Sequence, residues 1–221
     1  MRYIGLSVLF CFVFVGCVHG EVFSVWNFND AVSGSTGGAQ EFLVDRGIGS
    51  MFSNFNPTNI SNAVGSMVNS QDGDPAGQAL RLSGNSNNGK NLTWMVSTVG
   101  FDSISVDFAT QRTSTGFKEN QFQYSVDSGA TWTNWGNLFD PGTSYSLQRI
   151  DLKEILGINN NLNAGFRLIF GGATGVAGSN RIDNLVIAGS PIAPHDVIPI
   201  PEPSTITLLL TGIAGIFFAR R

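Results

Sequence analysis

Phe101-Asp102-Ser103-Ile104-Ser105-Val106-Asp107-Phe108-Ala109-Thr110 alternates apolar and polar side chains. A period of two puts Ile104, Val106 and Phe108 on one face of an extended chain and Ser105 and Asp107 on the other, as in a half-buried strand. The pattern recurs in both directions. Val22 to Phe28 reads as an opening strand, and Gln78 to Leu82 as another, after the Asp72-Gly73-Asp74-Pro75 loop. Beyond the central stretch, Gln121 to Asp127 sets Phe122, Tyr124 and Val126 inward, and Ser146 to Leu152 follows. Ala164 to Phe170 groups Phe166, Leu168 and Phe170, and Arg181 to Ala188 closes the series. Turn residues separate these runs at roughly ten-residue intervals. Only Asp151 to Leu156 looks helical, as a single turn, so the crossover helices of a parallel sheet are missing. The fold expected is all-β: an antiparallel two-sheet sandwich of jelly-roll type with about eight to ten strands. Its first strand, around Trp26, should lie beside the Ile182–Ile187 strand.

The two ends of the chain have a different composition. Met1-Arg2-Tyr3 precedes an apolar run from Ile4 to Val18, the layout of a secretory signal peptide. Small residues at Val18 and Gly20 put the mature start at Glu21. An uncleaved anchor helix and lipidation at Cys17 are the other readings of this segment. Five of the eight prolines fall between Pro191 and Pro203, a stiff spacer without apolar periodicity. Thr205 to Ala219 is apolar apart from Thr and Gly, and Arg220-Arg221 ends the sequence. A helix from Ser204 to Ala219 would be about 24 Å long, and its arginines can snorkel to the lipid interface. The expected organisation is a signal peptide at 1–20, a β-sandwich at 21–190, a Pro-rich linker at 191–203 and a transmembrane sorting helix at 204–221. The terminal arginines favour a cytoplasmic end, which leaves the sandwich outside.

Pro201-Glu202-Pro203, the apolar segment and the closing Arg220-Arg221 together resemble the PEP-CTERM sorting signal. That resemblance covers only about the last twenty residues. It implies a protein of Gram-negative bacteria, exported through the Sec translocon. The tail would hold it in the inner membrane until an exosortase processes it near the motif, after which it would reach the cell surface or extracellular matrix. Pro201, Glu202 and Pro203 would then be the recognition element and Arg220 and Arg221 the stop signal. The resemblance also associates the chain with exopolysaccharide and assigns no chemistry to the sandwich.

Composition narrows what the sandwich can do. Between Glu21 and Ser190 there are nine Lys and Arg against fourteen Asp and Glu, which argues against a nucleic-acid partner. The cysteines, Cys11 and Cys17, lie in the signal segment, and the histidines are His19 and His195. A Ser-His-Asp triad, a Cys-His pair and a His-ligated zinc site are therefore excluded from the 21–190 region. Carboxylate chemistry and oxygen-ligated cations remain open.

Several constellations carry candidate chemistry. Ser125-Val126-Asp127-Ser128-Gly129-Ala130-Thr131-Trp132 resembles the Asp-box hairpin of sialidase-like propellers, S-x-D-x-G-x-T-W. It occurs once, so it reads as a structural turn: Asp127 accepts bonds across it and Gly129 takes a positive φ. Trp132 and Trp135 bracket Thr133-Asn134, and Trp135, Trp132 and Asn134 are the candidate sugar-binding residues, since indole faces pack on sugar C–H groups. Asp72, Asp74 and Asp183 are candidate calcium ligands, although EF-hand spacing is missing. A buried Asp183 would need a partner, for which Arg181 or Arg167 is the expectation. Glu41, Glu119 and Glu154 belong to no closely spaced acidic motif.

The expectation is an exported, exosortase-processed surface or matrix protein with no catalytic site, binding exopolysaccharide, with no cofactor beyond a candidate calcium. The alternative is a carboxylate-dependent, calcium-assisted polysaccharide hydrolase or lyase.

Overall fold

The computed structural model describes residues 20–30 and 40–193. The signal segment before Gly20, the linker beyond Ala193, the PEP motif, the sorting helix and Arg220-Arg221 lie outside the described residues. Among the described residues, no helix is long and apolar enough to cross a membrane.

Thirteen strands are present among the described residues, in two antiparallel sheets. The seven-stranded sheet holds β1 (Glu21–Trp26), β3 (Arg46–Gly47), β5 (Ile60–Val64), β6 (Gln78–Ser83), β8 (Phe101–Arg112), β11 (Ser146–Asp151) and β13 (Ser179–Pro191). The six-stranded sheet runs β10 (Thr133–Phe139), β9 (Glu119–Ser125), β12 (Gly165–Gly171), β7 (Asn91–Met95), β4 (Ser50–Ser53), β2 (Gln40–Phe42). The molecule is the expected all-β sandwich, jelly-roll-like.

The longest strand organises the seven-stranded sheet. β13 pairs with β8 along one edge; along the other it pairs with β6 through Ser179–Ile182 and with β1 through Leu185–Gly189. Trp26 thus lies opposite Leu185, as the sequence led us to expect. On β8, Ile104, Val106 and Phe108 are fully buried, so the alternation from Phe101 to Thr110 is the core-facing row of a central strand.

Aromatic rings fill the space between the sheets. Phe55, Phe117 and Phe170 meet edge to face with centroids 5.4–5.7 Å apart, and Trp94 lies 6.0 Å from Phe122. Such edge-to-face pairs add about 0.5–1.5 kcal/mol beyond the area they bury. Two fully buried asparagines satisfy the polar backbone among them. Asn180 Oδ1 accepts from Phe117 N at 2.9 Å, while the Nδ2 groups of Asn180 and Asn120 both donate to Phe117 O at 2.9 Å.

Three details differ from the sequence expectation. The helical turn is a 3-10 turn at Leu156–Ile158, since Asp151 is still bonded into β11 opposite Ser105. Val126 is 41% exposed rather than inward, because β9 ends at Ser125 and the chain leaves the sheet there. The strand count exceeds eight to ten because β2, β3 and β4 have only two to four residues each, too few to show a period.

Candidate functional site

The outward face of the six-stranded sheet carries one row of side chains in register across every strand. Glu41 on β2 pairs with Phe52 on β4, Phe52 with Thr93 on β7, and Thr93 with Arg167 on β12. Arg167 continues to Gln123 on β9, and Gln123 to Asn134 on β10. Five inter-strand steps of about 4.8 Å make this row about 24 Å long. Its members alternate with the core residues Phe42, Met51, Leu92, Trp94, Phe166, Leu168 and Phe122, so the burial that fixes those rings also turns the row outward.

Three members are bonded into a chain. Arg167 Nε donates to Gln123 Oε1, and Gln123 Nε2 donates to Asn134 Oδ1 at 2.5 Å. Partial burial lowers the pKa of Arg167 from its ordinary value. Above it, the guanidinium carbon lies 4.3 Å from the centroid of the Trp132 ring, within cation–π range. The result is a polar strip of two amides and a guanidinium, with the indole over Arg167 and Phe52, 37% exposed, two strands away; Thr93 between them is buried, its hydroxyl donating to Asn91 Oδ1 at 3.0 Å.

The hairpin that delivers Trp132 has the bonding the sequence suggested. Thr131 N donates to Asp127 Oδ1 at 2.9 Å, Thr131 Oγ1 to Asp127 Oδ2 at 2.6 Å, and Ser125 Oγ to Asp127 Oδ1 at 2.7 Å. The Thr131 hydroxyl, then the Thr131 N–H, then Ser125 hold the Asp127 carboxyl down to about 2. Gly129 sits at φ +84, and a Cβ there would come within 3.1 Å of the Trp132 ring. Glycine thus answers both the turn and the ring beside it.

Trp135 faces the other way. Its ring meets Phe122 edge to face at 6.2 Å against the core, and its Nε1 donates to Asp151 O at 3.1 Å. Of the three candidate sugar-binding residues, the structure therefore brings Trp132 and Asn134 to one face and sets Trp135 against the core. Arg167, Gln123, Thr93, Phe52 and Glu41 complete the face, and sequence reading missed them as a group. Their only sequence signal was to stand at outward positions of separate strands.

The candidate calcium ligands are divided between two places. Asp72 and Asp74 both bind Arg46, Asp74 Oδ2 at 3.1 Å from Nη2, and Asp74 also accepts from Asn27 Nδ2 at 3.3 Å. Asp183, fully buried, accepts Ser66 N at 2.6 Å and Asn184 N at 2.9 Å. Its partners are thus main-chain amides, not the arginine expected: the loop after β5 folds back over the bulge at Asp183–Asn184. Burial pushes its carboxyl up to about 7 against the pull of those two N–H groups. Among the described residues, no three Asp, Glu, His or Cys side chains converge as metal ligands would. Glu41, Glu119 and Glu154 lie exposed on β2, on β9 and after β11. With β4, β7 and β12 between β2 and β9, the structure does not bring the glutamates together.

At the other end of the chain, residues 199–221 match the family profile described as PEP-CTERM protein-sorting motif. The chain ends in a PEP-CTERM sorting signal. Such a signal marks an exported protein that an exosortase processes at a membrane, and the matched span includes Pro201, Glu202, Pro203, Arg220 and Arg221. No curated protein matches the chain. Among solved structures, the CBM22-1 xylan-binding domain from Paenibacillus barcinonensis Xyn10C is similar, at 10% identity over 79% of this chain and 97% of that one, with a TM-score of 0.47. TmCBM61 in complex with beta-1,4-galactotriose aligns at 9% identity over 64% and 88%, TM-score 0.40. The mannan-recognising module TmCBM27 aligns at 11% identity over 77% and 98%, TM-score 0.41. These are likenesses of sandwich architecture.

Proposed function

We propose that the sandwich is a non-catalytic polysaccharide-binding module of an exported, exosortase-processed surface protein, and that it binds along the Glu41–Asn134 row. The observation that carries this reading is the bonded sequence Trp132, Arg167, Gln123 and Asn134 on one open sheet face. Sugar hydroxyls both donate and accept, and the row offers both kinds of partner in a fixed line: guanidinium N–H, amide N–H and C=O, and a terminal carboxylate. Its groups are pre-ordered by one another, so little side-chain entropy is lost on binding. A row about 24 Å long suits a chain laid across the strands better than a single sugar. The sorting signal supports placing the module outside the cell, in membrane-held form first and then at the surface or in the matrix, near exopolysaccharide. The Sec translocon and exosortase would be transient partners.

Retention of the mature protein on immobilised polysaccharides tests the reading. Wild type should be retarded by at least one neutral or acidic polymer and should release no reducing ends from it. Arg167→Ala should weaken retention at least about tenfold, the effect of losing one charge-assisted hydrogen bond. Folded protein that passes every polymer unretarded, or an Arg167→Ala variant that binds as wild type does, would defeat the proposal.

A further inference from the structure

The opposite sheet carries a feature the row does not use. A groove of about 560 Å³ crosses the outward face of the seven-stranded sheet. Its floor is an apolar strip of Val22, Val186 and Ala188, drawn from β1 and β13. Along one side stands a ladder of alternating charge. Arg149 Nε bonds both oxygens of Asp107 at 3.1 and 3.2 Å, and Lys153 Nζ lies 3.5 Å from Asp151 Oδ2. The Arg149 and Lys153 side chains remain 66% and 58% exposed, so neither is spent in packing. The loop after β5 forms the far side and is anchored there: Asn69 Nδ2 donates to Asp107 O at 3.2 Å and to Asn184 O at 2.8 Å.

The volume falls within the roughly 300–1,000 Å³ typical of small-ligand clefts, room for about two or three sugar rings. Two cations each paired with a carboxylate leave the ladder without net charge, so nothing in it draws an anion over a neutral ligand. A polyol is different, since each hydroxyl can donate to an aspartate and accept from the neighbouring arginine or lysine at once. The apolar floor suits the C–H face of the same ring. We infer that this groove is a second ligand site, selective for a neutral glycan, on the sheet opposite the Arg167 row. It stands whether or not that row binds sugar. With both sites filled, one domain joins two glycan chains.

Amide chemical-shift mapping of the full chain in a sugar-free detergent separates the two faces, with xylohexaose, mannohexaose and an oligogalacturonide as probes. A neutral hexasaccharide should shift Ser105, Ala188 and Lys153 as a group distinct from Gln123 and Arg167. Arg149→Ala and Lys153→Ala should each weaken the groove response at least about tenfold and leave the Arg167 row's response as it was. Arg149→Lys should recover part of the loss, which a merely unfolded variant would not. Groove amides silent to every neutral probe would overturn the inference. So would stronger binding of the oligogalacturonide, or a response indifferent to both substitutions. A silent row beside a responsive groove would count against the proposed function alone.

Discussion

At Asp183 the chain buries a carboxylate and gives it two main-chain N–H donors, from Ser66 and Asn184. Burial outweighs those donors and raises the carboxyl to about 7, so the folded protein keeps a proton that the unfolded chain releases near pH 3.9. Stability from this group is therefore full below about pH 3.9 and is lost as pH rises through about 7. Asp183→Asn carries a neutral amide at every pH but turns its NH₂ towards a backbone N–H. It should be less stable than wild type at pH 4, and the gap in unfolding free energy should shrink towards pH 8 by on the order of 4 kcal/mol. Urea titrations at both pH values measure this, and a gap that widens with pH would refute it. The sequence shows why such a residue is only half legible. A charge between Ile182 and Leu185 announces a buried carboxylate. Its partners, however, are main-chain groups, one on the next residue and one in a loop more than a hundred residues away, and a backbone N–H has no side-chain identity to read.

Among the elements, the hairpin between β9 and β10 gives the sharpest test. Asp127 ties Thr131 and Ser125 together and thereby sets where Trp132 leaves the turn. Because its carboxyl is held down to about 2, these bonds should persist in mild acid. Asp127→Ala should leave the core intact, yet speed hydrogen exchange at Thr131 and loosen the indole from Arg167. Glycan retention on the row should fall with it. Unchanged exchange at Thr131 would show that the turn is held by other bonds. The hairpin was legible because its residue types and spacing specify the turn locally. β8 and β13 were legible too, their long alternation being fixed by the core between them. β10 was not, since it is an edge strand whose residues are all exposed or half-exposed, and burial leaves no period there. The Arg167 row was beyond sequence reading for a related reason: one residue from each of six strands meets only through pairing register.

Across the sandwich, the first and last strands run side by side. Glu21, the expected mature start, pairs with Gly189, close to where β13 ends at Pro191. The start of β1 and the end of β13 therefore lie side by side in the seven-stranded sheet, and neither belongs to the sheet that carries the Arg167 row. The sandwich has its own core, so retention at the membrane should depend on the tail alone. Each Leu, Ile, Phe or Val between Thr205 and Ala219 contributes about 0.3–0.6 kcal/mol to membrane insertion, which sums to several kcal/mol over the segment. A chain ending at Ile198 lacks all of it. In cells without the exosortase, the full chain should stay in the carbonate-washed membrane fraction, and the shortened chain should be soluble outside the inner membrane with Glu21 as its first residue. With the exosortase present, mass spectrometry of the full-length product should show cleavage near Pro203. If the shortened chain also sediments with washed membranes, the anchor lies in the sandwich or the uncleaved signal segment, and the sorting tail does not hold the protein there.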